Sequence, residues 1–215
     1  YYVSFGYFDK AIASLTTLAE KKDINISPSL IYKNRGIAFM RTGKYENALK
    51  DLDMALQLNP LDTAALLYQG IIYIGNDMDS LALINLNKVI ELDSNNIQAY
   101  GYRGNIYLKK DKYDLAEVDL RKAVQLQPND KHVQFTMGNY YLMKENFTEA
   151  ITYYNRALSS DPGFKIVLEN RGIAYYNLGF YRQAAIDFDN AMKYNPQLIE
   201  KLKPLYIDAK IRAGI

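Results

Sequence analysis

The chain contains no cysteine and only one histidine, His132. Without cysteine there can be no disulfide, no thiolate nucleophile and no cysteine-bound zinc. A single histidine leaves almost no material for a Ser-His-Asp triad or a histidine metal site. The phosphate-cradling pattern GxxxxGK[ST] is also missing. The formal net charge is only +2 over 215 residues, too little to draw nucleic acid or anionic lipid by bulk attraction. No apolar run approaches the roughly 20 residues that a membrane-spanning helix needs. These absences argue against an enzyme, so no catalytic residue, metal ligand or cofactor is expected. A soluble chain is expected, in the cytoplasm rather than the periplasm or outside the cell.

What is present is periodic. Apolar residues make up 49% and charged residues 23%, a globular rather than a disordered composition. Within it, "NRGIAFMRTGKYENALKDL" starts at Asn34 and "NRGIAYYNLGFYRQAAIDF" at Asn170, four intervals of 34 apart. Gly36, Gly70, Gly104, Gly138 and Gly172 keep that interval without a slip, and so do Ala48, Ala82, Ala116, Ala150 and Ala184. So do Phe39, Tyr73, Tyr107, Tyr141 and Tyr175, and Ala55, Val89, Ala123, Ala157 and Ala191. Pro60, Pro128, Pro162 and Pro196 share it, with Ser94 standing in once. Each unit reads as two helices with apolar stripes at helical spacing, joined by a tight turn at Gly43, Asp77, Asp111, Glu145 or Gly179. Glycine suits that turn, and the acidic residues are expected to sit there with little strain.

These columns resemble the tetratricopeptide repeat: 34 residues, helix–turn–helix, small residues at the eighth, twentieth and twenty-seventh positions, an aromatic at the eleventh and proline at the thirty-second. The resemblance implies an all-α fold, a right-handed α-solenoid of tandem helix–turn–helix repeats. Full units are expected at 29–62, 63–96, 97–130, 131–164 and 165–198. Tyr2, Phe8, Ala11, Leu15 and Leu18 match the columns of a partial repeat over 1–28, mostly its second helix. Half a helix pair cannot bury its own face. The native chain is therefore expected to continue N-terminal to Tyr1. Residues 199–215, with Leu202, Leu205, Ala209 and Ile211, read as a capping helix. Pro204 lies in its early turns and Gly214 near its stop.

Two columns have a packing rationale. A glycine inside a helix costs about 0.5–1 kcal/mol relative to alanine, so the glycine column implies close helix approach, with the alanine column facing it. Arg35, Gln69, Arg103, Met137 and Arg171 stand 16 residues before Asp51, Asn85, Asp119, Tyr153 and Asp187. Arginine meets aspartate three times, glutamine meets asparagine once and methionine meets tyrosine once. The expected structural ion pairs are Arg35–Asp51, Arg103–Asp119 and Arg171–Asp187.

In the family, the first helix of each repeat lines an extended concave wall. Carried onto this sequence, the wall takes Lys33, Asn34, Ile37 and Arg41; Leu67, Tyr68 and Ile71; and Gln98, Tyr102, Asn105 and Lys109. It continues with His132, Phe135, Asn139 and Met143, then Glu169, Asn170, Ile173, Tyr176 and Asn177. Aromatic and aliphatic residues alternate with asparagines, whose amides donate and accept together and can hold a peptide backbone. Asn34 and Asn170 occupy the sixth position, resembling the asparagine ladder of O-linked N-acetylglucosamine transferase. The lysine–asparagine clamp of chaperone-binding members is absent, because Ile37 follows Lys33. A basic, aromatic wall suited to RNA would need more than Lys33, Arg41 and Lys109. The expectation is a non-enzymatic scaffold or adaptor that holds an extended peptide or protein partner in the concave groove, as a possible member of a larger complex. The alternative is a repeat arm that recruits substrates or partners for a catalytic or assembly domain elsewhere in a longer protein.

Overall fold

A computed structural model describes residues 7–20 and 25–215, and Tyr2 of the partial first repeat lies outside them. The described residues form twelve α-helices and no strand. They fall into two compact units that divide inside one helix, residues 1–106 and 107–215.

The first unit holds α1 (Phe8–Glu20), α2 (Pro28–Arg41), α3 (Tyr45–Leu58), α4 (Thr63–Gly75), α5 (Asp79–Leu92) and most of α6 (Ile97–Lys109). Helices α2 and α3 pack as one antiparallel hairpin and α4 and α5 as another. Ala48, Leu52, Ala55, Ala65 and Ile72 are buried between the two hairpins. The second core joins Leu66, Leu67, Ala82, Leu86 and Val89 to Ala99 and Ile106 of α6. The second unit holds α7 (Tyr113–Leu126), α8 (Lys131–Met143), α9 (Phe147–Ser160), α10 (Val167–Asn177), α11 (Tyr181–Tyr194) and α12 (Ile199–Ala213). Its hairpins are α8 with α9 and α10 with α11, and α12 packs on α11. A short 3₁₀ turn, Pro196–Leu198, leads into α12.

The turn inside each hairpin follows one rule. The backbone N–H of Lys44 reaches the carbonyl of Phe39, and Met78 reaches Tyr73 in the same way. Lys112 to Tyr107, Asn146 to Tyr141 and Phe180 to Tyr175 repeat the bond at 2.9 Å. This is the six-to-one closure of a Schellman motif, and it places one residue in the left-handed region. That residue is Gly43 or Gly179 in two hairpins. In the other three it is Asp77, Asp111 or Glu145, at φ of 57°, 55° and 56°. The expectation of little strain at these acidic positions is therefore corrected: each is an L-residue where its β-carbon is penalised. Asp111 is supported by a 2.8 Å bond from the Tyr113 hydroxyl.

The side chain that faces each glycine also differs from expectation. A β-carbon on Gly36 would lie 3.0 Å from Leu52 Cγ, and one on Gly70 would lie 3.5 Å from Leu86. On Gly138 it would lie 2.6 Å from Cδ1 of the Tyr154 ring, and on Gly172 2.7 Å from the Phe188 ring. The partner is thus the large apolar residue 16 positions downstream. The alanine column is represented only by the Ala48 carbonyl, 3.2 Å from the Gly36 site. The alanines let the helices close, and the glycine then takes the bulk of the side chain that points across.

Candidate functional site

The buried polar pairs come first, because they hold the first helices in place. Arg35 donates from Nε and Nη2 to both oxygens of Asp51, at 2.7 and 2.8 Å, and its Nη1 reaches the Thr16 hydroxyl. Arg171 grips Asp187 with the same fork and the same distances. Its remaining Nη1 donates to Asn155 Oδ1 at 2.7 Å. Asn155 belongs to the preceding hairpin, so one guanidinium closes its own hairpin and ties it to its neighbour. Gln69 repeats this in neutral form, accepting from Asn85 at 2.9 Å and donating to Asp53. Arg103 donates to Asn87. Its expected partner Asp119 belongs to the other unit, and that pairing stays a proposal. Met137 has no polar group to offer and is buried beside Leu120 and Tyr140, with Tyr153 packed against the cluster. Sequence reasoning missed Asp53, Asn87 and Asn155. They too stand at 34-residue intervals, so the signal was present.

The proposed wall residues behave differently in the two units. In the first unit, Lys33 is tied to Asp62 at 2.7 Å, and Ile37 and Leu67 are buried. Asn34 spends its amide N–H on the Leu30 carbonyl of its own helix. Arg41, Asn105, Lys109 and Gln98 are exposed, while Tyr68, Ile71 and Tyr102 are half-buried. Burial pushes the Tyr102 phenol above its ordinary value. Asparagine is therefore not a uniform ladder.

In the second unit the side chains converge. Asn170 donates from Nδ2 to Asn139 Oδ1 at 2.8 Å, across the gap between α10 and α8. The same oxygen accepts from the Tyr154 hydroxyl at 2.8 Å. Tyr154 is completely buried, and burial drives its phenol far above the usual range, so it remains a neutral donor. Both lone pairs of the Asn139 carbonyl are thereby used. The Asn139 Nδ2 hydrogens and the Asn170 Oδ1 make no hydrogen bond and remain open, one donor and one acceptor side by side. Asn177, by contrast, bonds to the Ile173 carbonyl of its own helix.

Beside this amide pair lies an aromatic group. Phe135 and Phe164 meet edge to face at 5.7 Å, His132 meets Phe164 at 5.0 Å, and Phe135 leans on Tyr154 at 6.1 Å. Phe164 was not among the expected residues, although its column carries the reason. Asp62, Asn96 and Asp130, spaced by 34, cap the next helix through bonds to Ala65, Ala99 and Val133. Phe164 follows Asp130 in that series and cannot cap. Helix α10 accordingly starts at Val167 without a side-chain cap, and the Phe164 ring turns to the aromatic group instead. Half-buried Ile173 and exposed Met143 complete this face of the unit. Glu169 is engaged by Lys201, and Tyr176 donates to Asp208, both of α12.

Among the described residues, no three His, Asp or Glu side chains gather as a metal site would require. No helix of the described residues is long and apolar enough to cross a membrane.

Comparison with known proteins agrees with this geometry. Residues 29–61, 97–130 and 132–164 match models of the tetratricopeptide repeat. No curated protein matches the chain. Among solved structures, a tetratricopeptide repeat protein from Parabacteroides merdae is 21% identical over 96% of this chain and 94% of its own, with a TM-score of 0.69. MamA from Desulfovibrio magneticus is 23% identical over 81% of this chain and 98% of its own, with a TM-score of 0.66. The APC/C hetero-tetramer Cut9–Hcn1 is 15% identical over 97% of this chain, with a TM-score of 0.86, and this chain spans 42% of its matched chain. At these identities the structural likeness speaks for the fold: all-α, of the α-solenoid class. With the 34-residue columns, the Schellman-closed hairpins and the matched segments, the chain is a tetratricopeptide repeat protein.

Proposed function

We propose that this protein is a non-enzymatic interaction scaffold and that the first-helix face of its second unit holds an extended peptide segment of a partner protein. The observation that carries the reading is the Asn139–Asn170 pair. Its internal bonds are satisfied by Tyr154 and by each other, yet one donor and one acceptor are left open beside the Phe135–Phe164 aromatic group. A peptide group presents one acceptor and one donor in return, and the rings supply apolar surface for an adjoining side chain. The amide pair is set by a buried phenol, so it is pre-organised and little ordering cost falls on binding. The Cut9–Hcn1 neighbour is itself part of a protein assembly, which supports a binding role for the fold; the ligand must be argued from the site.

The test uses peptides of roughly 12 residues, selected from a random display library on the intact chain. An extended segment of that length, at ~3.3 Å per residue, spans three helices packed about 10 Å apart. Dissociation constants are then read by fluorescence anisotropy. Asn139→Ala with Asn170→Ala should weaken selected peptides by about tenfold or more, since each lost bond leaves a buried peptide group unpaired. Undiminished binding by a variant that still melts cooperatively would refute the reading.

A further inference from the structure

Helix α12 was expected to be a cap, yet it repeats the binding columns. Pro204, Ile207 and Ile211 stand 34 residues after Asn170, Ile173 and Asn177. Its inward-packed residues, Leu202 and Ala209, are fully buried in the α11 core, so the opposite side of the helix is set by elimination. Two contacts fix α12 beside α10: Tyr176 donates to Asp208, and Lys201 pairs with Glu169. The face that carries Asn139 on α8 and Asn170 on α10 therefore continues onto α12. There it changes character. Ile207 is 47% exposed and Ile211 72% exposed, values that a purely structural cap has no reason to keep.

The charges on this face are also distinctive. Lys203 and Lys210 stand one turn before and one turn after the middle of the isoleucine stripe. Neither has a carboxylate partner; Lys210 only lies over the Tyr206 ring, at 5.6 Å. Every other basic residue of α12 is engaged, Lys201 with Glu169 and Arg212 with Asp208. Glu200, a turn before Lys203, is the one acidic residue on that side, at its outer end.

We infer that α12 is a specificity element of the peptide-binding face, and that the segment it receives carries an acidic residue beside a large aliphatic one. This inference rests on the reading of the Asn139–Asn170 pair. The open amide pair holds backbone and cannot distinguish sequences. Ile207 and Ile211 with the two free lysines discriminate, because a carboxylate set between two unpaired ammonium groups is attracted while a lysine there is repelled.

The test uses the same selected peptides and two further variants. Ile211→Asp and the double variant Lys203→Glu, Lys210→Glu both alter exposed side chains, so folding should survive; a thermal melt of each checks this. The expected result is a selected consensus with Asp or Glu next to Leu, Ile or Phe. Affinity should fall about tenfold in each α12 variant, corresponding to ~1.4 kcal/mol. Raising salt should weaken binding to the native chain and leave the charge-reversed variant almost unchanged. Peptides that depend on Asn139 and Asn170 but are indifferent to both α12 variants would overturn the role of α12 and leave the peptide-binding reading standing. A consensus without acidic residues would overturn the partner chemistry. Peptides indifferent to all the variants, or no selection at all, would overturn both.

Discussion

The hairpins of the two units solve one packing problem with different side chains. In the first unit the residue opposite the glycine is Leu52 or Leu86, and in the second it is Tyr154 or Phe188. A leucine leaves room: a β-carbon at Gly70 would rest in ordinary contact, 3.5 Å from Leu86. A ring lies flat against the helix backbone and needs all the space that glycine vacates. The same glycine column is therefore dispensable in one hairpin and required in another. The aromatic choice also has a consequence outside the core, because the Tyr154 hydroxyl emerges at Asn139 and sets the open amide pair. Phe188 and the leucines have no such atom. The difference teaches that a repeated column can carry packing everywhere and function at one place.

The polar pairs give the largest expected effects on this comparison. Arg171→Met leaves Asp187 buried without its partner and should cost about 3–5 kcal/mol; adding Asp187→Leu should recover much of the loss. Chemical unfolding followed by amide hydrogen exchange would read both, and a double variant no more stable than the single would break the pairing account. Gln69→Met in the first unit removes only neutral bonds and should cost about 1–3 kcal/mol.

The glycines come next. Gly138→Ala drives a β-carbon into the Tyr154 ring and should destabilise by roughly 1–3 kcal/mol despite better helix propensity. Tyr154→Leu added to it should relieve the clash, turning this hairpin into the first unit's type. Gly70→Ala should do the opposite of Gly138→Ala and stabilise by about 0.5–1 kcal/mol. Equal effects at the two glycines would erase the distinction. At the turns, Glu145→Gly should stabilise by about 1 kcal/mol, because glycine accepts the left-handed conformation without penalty. Asp111→Gly should gain less, since it also loses the bond from Tyr113.

Much of this was legible in the sequence for physical reasons. Helix pairs of fixed length give fixed intervals, so the glycine and aromatic columns mark the hairpins. The 16-residue offset brings Arg35 to Asp51 and Arg171 to Asp187, because the two positions sit at matching heights across one hairpin. What lay between hairpins was harder to read. The stagger that brings Asn155 to Arg171 and Asp53 to Gln69 belongs to packing of one hairpin on the next, not to either alone. The wall residues were legible by family position, but not their state: Asn34 and Asn177 turn back on their own helices, while Asn139 and Asn170 meet. Phe164 escaped notice because its column is defined by capping, and its importance comes from failing to cap. Helix α12 escaped because a terminal helix invites the reading of a cap, although Ile207 and Ile211 stand in the wall columns.

The central claim is that the first-helix face of the second unit, from Asn139 through Asn170 to Ile211, is where a partner segment lies. The most direct measurement is titration of the isotope-labelled intact chain with a selected peptide, followed by amide and side-chain carboxamide resonances. The account predicts that the Asn139 and Asn170 carboxamides and the backbone of α8, α10 and α12 shift together, with little change on the exposed side of α9 and α11. Shifts centred on Ile186 or Asn190 of α11, with the two carboxamides unmoved, would contradict it.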